Sequence, residues 1–456
     1  MNRASIALSD ARPIWQSLGI FLIPLMLSNV LQSLGQTANS IYLGRLVGVN
    51  ALAAVSAIFP IVFFLISFLI GLGAGSSILI GQAFGARDDA KVKAIAGTAL
   101  ALVISLGIVV GSLGSFFSTD LLRALGTPAD ILPTSASYAR ITFASIPLLF
   151  AYLTYTTFLR GVGDTRTPFV ILIFSTVLTI ALTPLFILGG FGIPAFGTNG
   201  AALGNVVSTA LALVALLVIL RRTNNPLALD RAMLANLKIR PSLALAIAKI
   251  GIPTSVNLVM VSLSEIAVLA FVNRFGSAAL AAYGAVNQIV SYAQFPAISL
   301  GIAASIFSAQ SIGAERTERL GPIVRSAVVL NYLIEGTIIA ILYALSTQVI
   351  SLFITVHETI LVARHLLTIT LWSYAIFGNA RIISAVVISS GYVVWPTLLS
   401  VLSIWAVEVP VAYSLMQRIG LDGVWYGYPS AFGAGLLMQL AYYKFVWKRK
   451  TLRRLV

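Results

Sequence analysis

Long apolar segments fill most of this chain and constrain its fold more than any other feature. Twelve runs of about 20 or more mostly apolar residues alternate with polar breaks, and each is long enough to cross a bilayer as a helix. The predicted spans are 14–44, 52–81, 94–117, 138–160, 168–189, 200–220, 245–272, 280–311, 325–353, 366–388, 395–416 and 423–446. Only 9% of the 456 residues are charged, too few to cover a soluble surface. The pattern predicts an all-α membrane protein with twelve transmembrane helices and excludes a soluble enzyme, a disordered chain and a disulfide-stapled domain.

The distribution of basic residues predicts which side of the membrane each loop faces. When the N-terminus is assigned to one side and the spans alternate, that side holds 22 of the 29 Lys and Arg residues. The opposite side holds six, and one lies within a span. The positive-inside rule therefore places both termini of this predicted multi-pass protein in the cytoplasm. The net charge of +15 then reflects topology, and no nucleic-acid partner is expected because the chain has no folded basic domain.

The two halves of the chain resemble each other. Pro24 and Pro253 lie 229 residues apart, and Arg45 and Arg274 share that offset. Six spans in each half predict two pseudo-symmetric six-helix bundles related by an axis along the membrane normal, which is common among carriers with alternating access. The predicted segments are a cytoplasmic tail 1–13, an N-terminal lobe 14–222, a cytoplasmic linker 223–244, a C-terminal lobe 245–446 and a basic cytoplasmic tail 447–456.

Short motifs at the ends of several spans resemble those of a known transporter family. They are GRLVG at 44–48, GQAFGARD at 81–88, FLRGVGDTRTP at 158–168, NGAALG at 199–204, and, in the second half, FP at 295–296 and QSIGA at 310–314. Their order and spacing within twelve spans resemble the MATE (multidrug and toxic compound extrusion) family over nearly the whole chain.

The resemblance implies a V-shaped pair of six-helix bundles that exports organic cations and other amphipathic compounds, driven by inward flow of H⁺ or Na⁺. The expected partners are a small amphipathic substrate and the lipid bilayer, and we expect a monomer with no cofactor and no metal site. Bacterial members that resemble this first span usually carry acidic residues where this chain has Asn39, Thr183 and Asn379. These neutral replacements weaken the expectation of proton coupling in the N-terminal lobe.

Three carboxylates fall within predicted spans, and all three lie in the second half. An ionisable group inside the bilayer is costly, so each one suggests an ion pathway or a specific partner. Glu265 shares a helix face with two serines, and Glu408 lies two residues before Pro410, which frees a backbone carbonyl. We predict Glu265, Glu408 and Asn379 as ion-coupling residues; the alternative for each carboxylate is a bond that fixes neighbouring helices.

The third carboxylate, Glu335, has a basic residue at a similar predicted depth. Glu335 and Arg381 lie within roughly 5 Å of the same depth when each is counted from the cytoplasmic end of its span. We therefore predict a structural ion pair between them. A pair between Arg381 and Glu408 is the rival interpretation.

The first span carries a stripe of amide side chains at helical spacing. Asn29, Gln32, Gln36 and Asn39 follow one another at intervals of three or four residues and therefore share one face. This stripe could line a substrate cavity together with Thr179 and Thr183 of the fifth span. An equally weighted alternative is that these groups hold the two helices together by hydrogen bonds.

The sequence favours a secondary antiporter over three rivals. A flippase for lipid-linked sugars, from the same superfamily, would need a basic cavity, but Arg381 is the one clearly intramembrane base. A membrane-embedded prenyl transferase would need Asp-rich Mg²⁺ motifs, whereas Asp88 and Asp89 stand alone. No phosphate-binding loop is present, which argues against ATP as the energy source. Solute uptake in place of export stays open.

Overall fold

The computed structural model describes residues 12–456, so residues 1–11 of the predicted tail lie outside the described residues. The helices of the first half are α1 (Ile14–Tyr42), α2 (Val49–Ser56), α3 (Phe59–Gly85), α4 (Asp89–Phe116), α5 (Ser118–Ala124), α6 (Leu132–Ala144), α7 (Ile146–Gly161), α8 (Arg166–Leu188), α9 (Thr198–Arg222) and α10 (Arg231–Ala235). A short π-helical segment, Leu43–Val47, follows α1.

The second half repeats this helical organisation. Its helices are α11 (Pro241–Val272), α12 (Ser277–Gly313), α13 (Leu320–Ala344), α14 (Ser346–Ser351), α15 (His357–Thr370), α16 (Ser373–Ser389), α17 (Val394–Leu402), α18 (Val409–Ile419), α19 (Leu421–Trp425) and α20 (Gly427–Ala441). Two further π-helical segments, Ser403–Glu408 and Tyr442–Val446, adjoin α17 and α20. Between residues 12 and 456 the only β pairing is one isolated bridge, so the all-α class is confirmed.

Nine helices of the described chain are long and apolar enough to cross a membrane by themselves. Two more spans are formed by bent pairs, α6 with α7 at 49° and α15 with α16 at 43°. The region predicted as the twelfth span, 423–446, is divided among α19, α20 and a π-helical end. Up to eleven spans are therefore recognisable by length and composition within residues 12–456, and the protein is a multi-pass membrane protein.

The chain forms two compact units, which we call the N-terminal and C-terminal units. The N-terminal unit is Leu27–Gly251, and the C-terminal unit consists of residues 12–26 together with Ile252–Val456. Two long helices, α1 and α11, therefore change unit part-way along their length, each close to an internal proline. Unlike the predicted lobes, the C-terminal unit contains the first part of α1, and the N-terminal unit contains the first part of α11.

The first part of α1 belongs to the core of the C-terminal unit. Leu18, Phe21, Leu22 and Leu25 are buried in one cluster with residues of α12, α13 and α16. The rings of Phe21 and Phe307 meet edge to face with centroids 5.5 Å apart. Complete burial of a large apolar side chain stabilises a soluble fold by about 1.5–3 kcal/mol; in a bilayer, dispersion contacts supply much of that gain.

The first part of α11 packs closely on α3 within the N-terminal unit. A Cβ atom at Gly75 would lie only 2.6 Å from the carbonyl oxygen of Ile247, and one at Gly251 would lie 2.8 Å from Cα of Leu72. Small residues at helix contacts are typical of membrane proteins because they let two backbones approach. Gly75 and Gly251 thus allow α3 and α11 to meet backbone to backbone.

The linker 223–240, which precedes α11, contacts the start of α4. The carboxylate of Asp230 caps α10 by accepting a hydrogen bond from the backbone N–H of Met233, 2.7 Å away. The same carboxylate forms an ion pair with Lys93 of α4. The hydrogen bond from Lys93 is the main cause that lowers the pKa of Asp230 below its ordinary value. A Cβ atom at Gly97 would meet the backbone of Asn236, so α4 also contacts the end of α10 closely.

Candidate ion-coupling site

Glu265 of α11 lies at the centre of a polar cluster in the C-terminal unit. Its Oε2 atom accepts hydrogen bonds from the hydroxyls of Tyr283 at 2.8 Å and Tyr428 at 2.9 Å. The two hydroxyl oxygens are 3.2 Å apart. Three helices, α11, α12 and α20, therefore meet at one carboxylate. Glu265 is only partly buried, which leaves its side chain accessible to a small ion.

Aromatic packing holds the two tyrosines in place. The ring of Tyr283 stacks on that of Trp425 with centroids 5.9 Å apart and an interplanar angle of 6°, and Trp425 is fully buried. The ring of Tyr428 packs on that of Phe432. The centroid of the Phe432 ring also lies 5.2 Å from that of Tyr374 on α16. Such buried, mutually packed rings have little rotamer freedom, so the hydroxyl donors are pre-arranged around Glu265.

Glu408 is the second carboxylate of this region. It ends the π-helical segment Ser403–Glu408, two residues before Pro410, and is 3% exposed. Its Oε1 atom has no hydrogen-bond partner among the residues that the structure describes. A Cβ atom at Gly427 would lie 3.1 Å from the carbonyl oxygen of Glu408, so α20 approaches this segment closely. Irregular helix of this type is frequent at functional sites.

The charges of Glu265 and Glu408 act on each other and on common neighbours. Glu408 interacts electrostatically with Glu265, and both carboxylates act on the hydroxyl of Tyr374. Two like charges in a protein interior are stabilised by a cation between them or by a shared proton. The cluster therefore has the chemistry to bind H⁺ or a hard monovalent cation.

Asn379, the third predicted coupling residue, lies in a different polar group. Its Oδ1 atom accepts a hydrogen bond of 3.3 Å from Nδ2 of Asn331 on α13. Tyr374, five residues earlier on α16, lies within electrostatic range of Glu265 and Glu408. Asn379 is therefore placed with α13, and its role in coupling stays a prediction.

The predicted ion pair between Glu335 and Arg381 does not form, and this prediction was wrong. Neither carboxylate oxygen of Glu335 has a hydrogen-bond partner within residues 12–456. Helix α13 runs antiparallel to the bent pair of α15 and α16, as the contacts of Asn331 with Ala375 of α16 and of Tyr343 with Thr368 of α15 show.

This register places the two charged residues on opposite sides of the Asn331 contact. With a rise of 1.5 Å per residue, Glu335 and Arg381 are offset by roughly 10 Å along the helix axes. The error came from counting depth from assumed span ends, since α13 begins at Leu320 and not at the predicted residue 325. In the rival pair, Arg381 would bond to Glu408. The Oε1 atom of Glu408 makes no such bond, since it has no partner among the described residues.

The amide stripe of α1 belongs to the N-terminal unit. Asn29 and Asn39 are half-buried, whereas Gln32 and Gln36 are exposed. The stripe lies next to α8, since a Cβ atom at Gly35 would lie 3.7 Å from Cγ2 of Thr176. The Oδ1 atom of Asn39 has no hydrogen-bond partner in the part of the chain described.

The two predicted threonines of α8 differ in their surroundings. The hydroxyl of Thr179 donates to the carbonyl of Ser175 in its own helix at 2.9 Å. Thr183 is fully buried against Gly204 of α9, and its hydroxyl has no partner among the described residues. The substrate-cavity role of the stripe and of these threonines stays a prediction.

The residues that complete the Glu265 cluster were missed by sequence reasoning. Tyr283, Tyr428 and Trp425 sit in apolar spans where aromatic residues are common, and no spacing distinguishes them. To predict that these residues contact Glu265, one must know which faces of α12 and α20 turn toward α11. That information comes from tertiary packing and is absent from local periodicity.

Comparison with known families adds one finding to this geometry. The family model MatE matches residues 24–185 and again residues 253–414. The two matches begin 229 residues apart, which is the offset between Pro24 and Pro253, so the internal repeat is confirmed. The chain belongs to the MatE family. Members of this family are transporters, so the prenyl transferase alternative is wrong and the flippase alternative is not favoured.

Two bacterial relatives extend over nearly the whole MatE chain. The chain is 52% identical over 445 residues to the "Probable multidrug resistance protein YoeA" of Bacillus subtilis, covering 97% of this chain and 96% of that protein. It is 22% identical over 419 residues to the "Multidrug export protein MepA" of Staphylococcus aureus, covering 91% and 90%. Both proteins are named for drug resistance or export, which agrees with a MatE multidrug transporter.

Solved structures show that the fold is shared. One, described as the "Outward-facing conformation of a multidrug resistance MATE family transporter of the MOP superfamily", superposes with a TM-score of 0.87 at 21% identity, covering 96% of this chain and 97% of that chain. A single-residue variant of the Vibrio cholerae MATE transporter VcmN also gives 0.87 at 21% identity, with 96% and 98% covered. At this identity the likeness supports the fold alone.

Proposed function

We propose that this protein is a secondary active antiporter that exports amphipathic, cationic compounds from the cytoplasm in exchange for H⁺ or Na⁺. The observation that supports the proposal is the Glu265 cluster, in which one partly buried carboxylate is held by two tyrosines beside the buried Glu408. The proposed orientation has both termini in the cytoplasm of a bacterial inner membrane. We propose that a monomer performs the transport.

In the proposed cycle the cation binds between Glu265 and Glu408. Carboxylates inside the membrane commonly mark ion pathways, because an uncompensated charge there is unfavourable. The hydroxyls of Tyr283 and Tyr428 fix the Glu265 carboxylate by donating to one oxygen, which leaves the other oxygen for the ion. Ion binding drives transport only if the outward-open and inward-open states bind the ion with different affinities.

The substrate is proposed to bind along the neutral polar residues of the N-terminal unit. Asn39 and Thr183 offer hydrogen-bonding atoms that have no partner among the described residues, and neither residue titrates. An amphipathic molecule would bind its polar group at such amides and hydroxyls and its apolar part among the surrounding aliphatic side chains. Substrate and ion would then use different units of the molecule during alternating access.

Transport in proteoliposomes tests the proposal. Efflux of a fluorescent lipophilic cation is measured with an imposed H⁺ gradient and, separately, with an imposed Na⁺ gradient. We expect Glu265→Gln and Glu408→Gln each to reduce gradient-driven efflux at least about tenfold, since each removes a charge from the ion site. Glu318→Gln is the matched control, because Glu318 is an exposed carboxylate of the same unit. Full gradient-driven efflux in both site variants would overturn the coupling scheme, and accumulation in place of efflux would overturn export.

A further inference from the structure

A second group of buried polar side chains lies between α13 and α16, apart from the Glu265 cluster. Asn331 and Glu335 are both fully buried, and Asn379 is 3% exposed. Asn331 and Glu335 are four residues apart and therefore lie on one face of α13. The proposed coupling site uses neither of them.

The donors and acceptors of this group are unevenly matched. Nδ2 of Asn331 donates to the carbonyl of Ala375 at 3.0 Å and to Oδ1 of Asn379 at 3.3 Å. These two bonds fix the orientation of the Asn331 amide, and its Oδ1 atom lies against Gly378 of α16, where a Cβ atom would be 2.2 Å from it. That atom and both carboxylate oxygens of Glu335 have no hydrogen-bond partner among the described residues. Apart from the backbone N–H of Ala297, which lies near Glu335, these three hard oxygen atoms have no donor among the described residues.

The surroundings of Glu335 supply little that would neutralise its charge. Arg381 is offset by roughly 10 Å along the helix axes, as the register of α13 and α16 requires. The carboxylate faces the backbone N–H of Ala297, one residue after Pro296 of α12. A proline within a spanning helix interrupts its regular hydrogen bonding, and interrupted helices are typical of intramembrane ion sites.

We propose that Asn331 and Glu335 form a second cation site, which binds Na⁺ through the carboxylate oxygens of Glu335 and the amide oxygen of Asn331. Carboxylate and amide oxygens are hard ligands suited to a hard cation, and a cation satisfies the three oxygens together. Asn379 acts as a positioning residue, because its Oδ1 atom orients the Asn331 amide. The site is distinct from Glu265 and Glu408 and does not depend on their role in coupling.

Thermal unfolding of the purified full-length protein in detergent tests this site. The melting temperature is recorded during titration of NaCl against KCl at constant ionic strength and neutral pH. A ligand that binds only the folded state raises the melting temperature as its concentration passes its dissociation constant. The titration is performed in a Glu265→Gln/Glu408→Gln background, so that the proposed coupling site contributes nothing to the response.

In that background we expect a Na⁺-specific rise in melting temperature that Glu335→Gln abolishes. Asn331→Leu should weaken the apparent Na⁺ affinity about tenfold or more, as the loss of a supporting metal ligand commonly does. A retained Na⁺ response in Glu335→Gln overturns the proposal. A response of Glu335 to pH alone, with Na⁺ and K⁺ equivalent, also overturns it, because the group would then bind a proton.

A second measurement covers the case in which Glu335→Gln fails to fold. Asn331→Asp replaces the Nδ2 donor with a charged oxygen while keeping Oδ1, and we expect the added charge to strengthen equilibrium binding of ²²Na⁺ about tenfold. Asn257→Asp is the matched control, because Asn257 is a buried amide of α11 in the same unit. Equal ²²Na⁺ binding by Asn331→Asp and its parent would contradict the assignment.

Discussion

The two units share a repeated sequence but differ in the charge that they place inside the membrane. The N-terminal unit contains six acidic residues, all aspartates, and each lies in a loop or at a helix end outside the predicted apolar spans. Apart from Arg160 of α7, whose Nε atom is buried, its buried polar groups, such as Thr154, Tyr155 and Thr183, are neutral. The C-terminal unit carries Glu265, Glu335 and Glu408 within its spanning segments. The duplication therefore preserved the fold in both halves but not the chemistry.

This difference separates what each unit can do. Amides and hydroxyls can bind a polar substrate group, but near neutral pH they do not ionise and carry no charge. Every ion-dependent property should consequently map to the C-terminal unit. Substitutions at matched residues of the two units test this separation directly.

The largest expected effect is the loss of a large buried aromatic side chain. Trp425→Ala in the C-terminal unit and Phe158→Ala in the N-terminal unit each remove a fully buried ring, which should lower the free energy of unfolding by about 3–5 kcal/mol. Denaturant unfolding in micelles measures both. Trp425 also stacks on Tyr283, so its variant should lose the ion dependence of efflux as well. Equal ion dependence in the two variants would break the separation between the units.

The second-largest expected difference between the units comes from removing a buried tyrosine hydroxyl in each. Tyr428→Phe removes one of the two donors to Glu265, and hydrogen bonds to charged groups are worth about 1.5–3 kcal/mol. Tyr155 of α7 is buried, and its hydroxyl has no partner among the described residues, so Tyr155→Phe should be neutral or stabilising. Denaturant unfolding gives both values. The interpretation fails if Tyr155→Phe is the more damaging substitution.

Adding a methyl group at two crowded glycines tests close packing around polar side chains. A Cβ atom would lie 2.2 Å from Oδ1 of Asn331 at Gly378 and 2.8 Å from Oγ1 of Thr183 at Gly204. We expect each alanine variant to lose about 1–3 kcal/mol of stability through overpacking. Gly378→Ala should in addition weaken the Na⁺ response proposed for Glu335, whereas Gly204→Ala should leave it intact.

The control for these variants is a glycine with open space around it. A Cβ atom at Gly433 of α20 would have no neighbour within 4 Å, so Gly433→Ala should be neutral or stabilising, in line with the higher helix propensity of alanine. A loss at Gly433 comparable to that at Gly378 would show that crowding is not the cause. Melting temperatures of the three variants and the parent suffice for this comparison.

The sequence predicted the features that depend on composition and on local pattern. Apolar runs indicated the all-helical class, and duplicated motifs indicated the repeat. Both are patterns of local composition and spacing that can be read without the tertiary structure. Glu265 and Glu408 were found because a charge inside a bilayer is unfavourable wherever the helix faces. These inferences needed no knowledge of which helices touch.

Features that depend on how helices face one another could not be predicted. Tyr283 and Tyr428 matter only because α12 and α20 turn them toward α11, which is a property of packing. The pair between Glu335 and Arg381 failed because similar depth fixes neither the register nor the rotation of two helices. Asn331 of α13 bonds to Asn379 of α16, and this contact defines how the two helices align. The sequence of either helix alone does not indicate that contact.

The smallest expected effect concerns ion pairs outside the spans, one in each unit. Lys93 pairs with Asp230 in the N-terminal unit, and Arg454 pairs with Glu315 at 3.1 Å in the C-terminal unit. Both pairs are partly exposed to solvent, and the carboxylate of Glu315 is more exposed than that of Asp230. Exposed pairs contribute about 0–1 kcal/mol, so Asp230→Asn should cost under about 1 kcal/mol and Glu315→Gln less.

The pH dependence of the Asp230 contribution follows from the direction of its pKa shift. Lys93 lowers the pKa of Asp230 in the folded state, so the carboxylate stabilises the fold above its unfolded pKa of about 3.9. That stability is lost as the pH falls through the lowered folded value. The difference in melting temperature between Asp230→Asn and the parent should therefore persist from pH 7 to about 5 and shrink as the pH falls below about 3.9. A difference that stayed constant well below pH 3.9 would show that the charge of Asp230 contributes nothing, since asparagine can also cap α10.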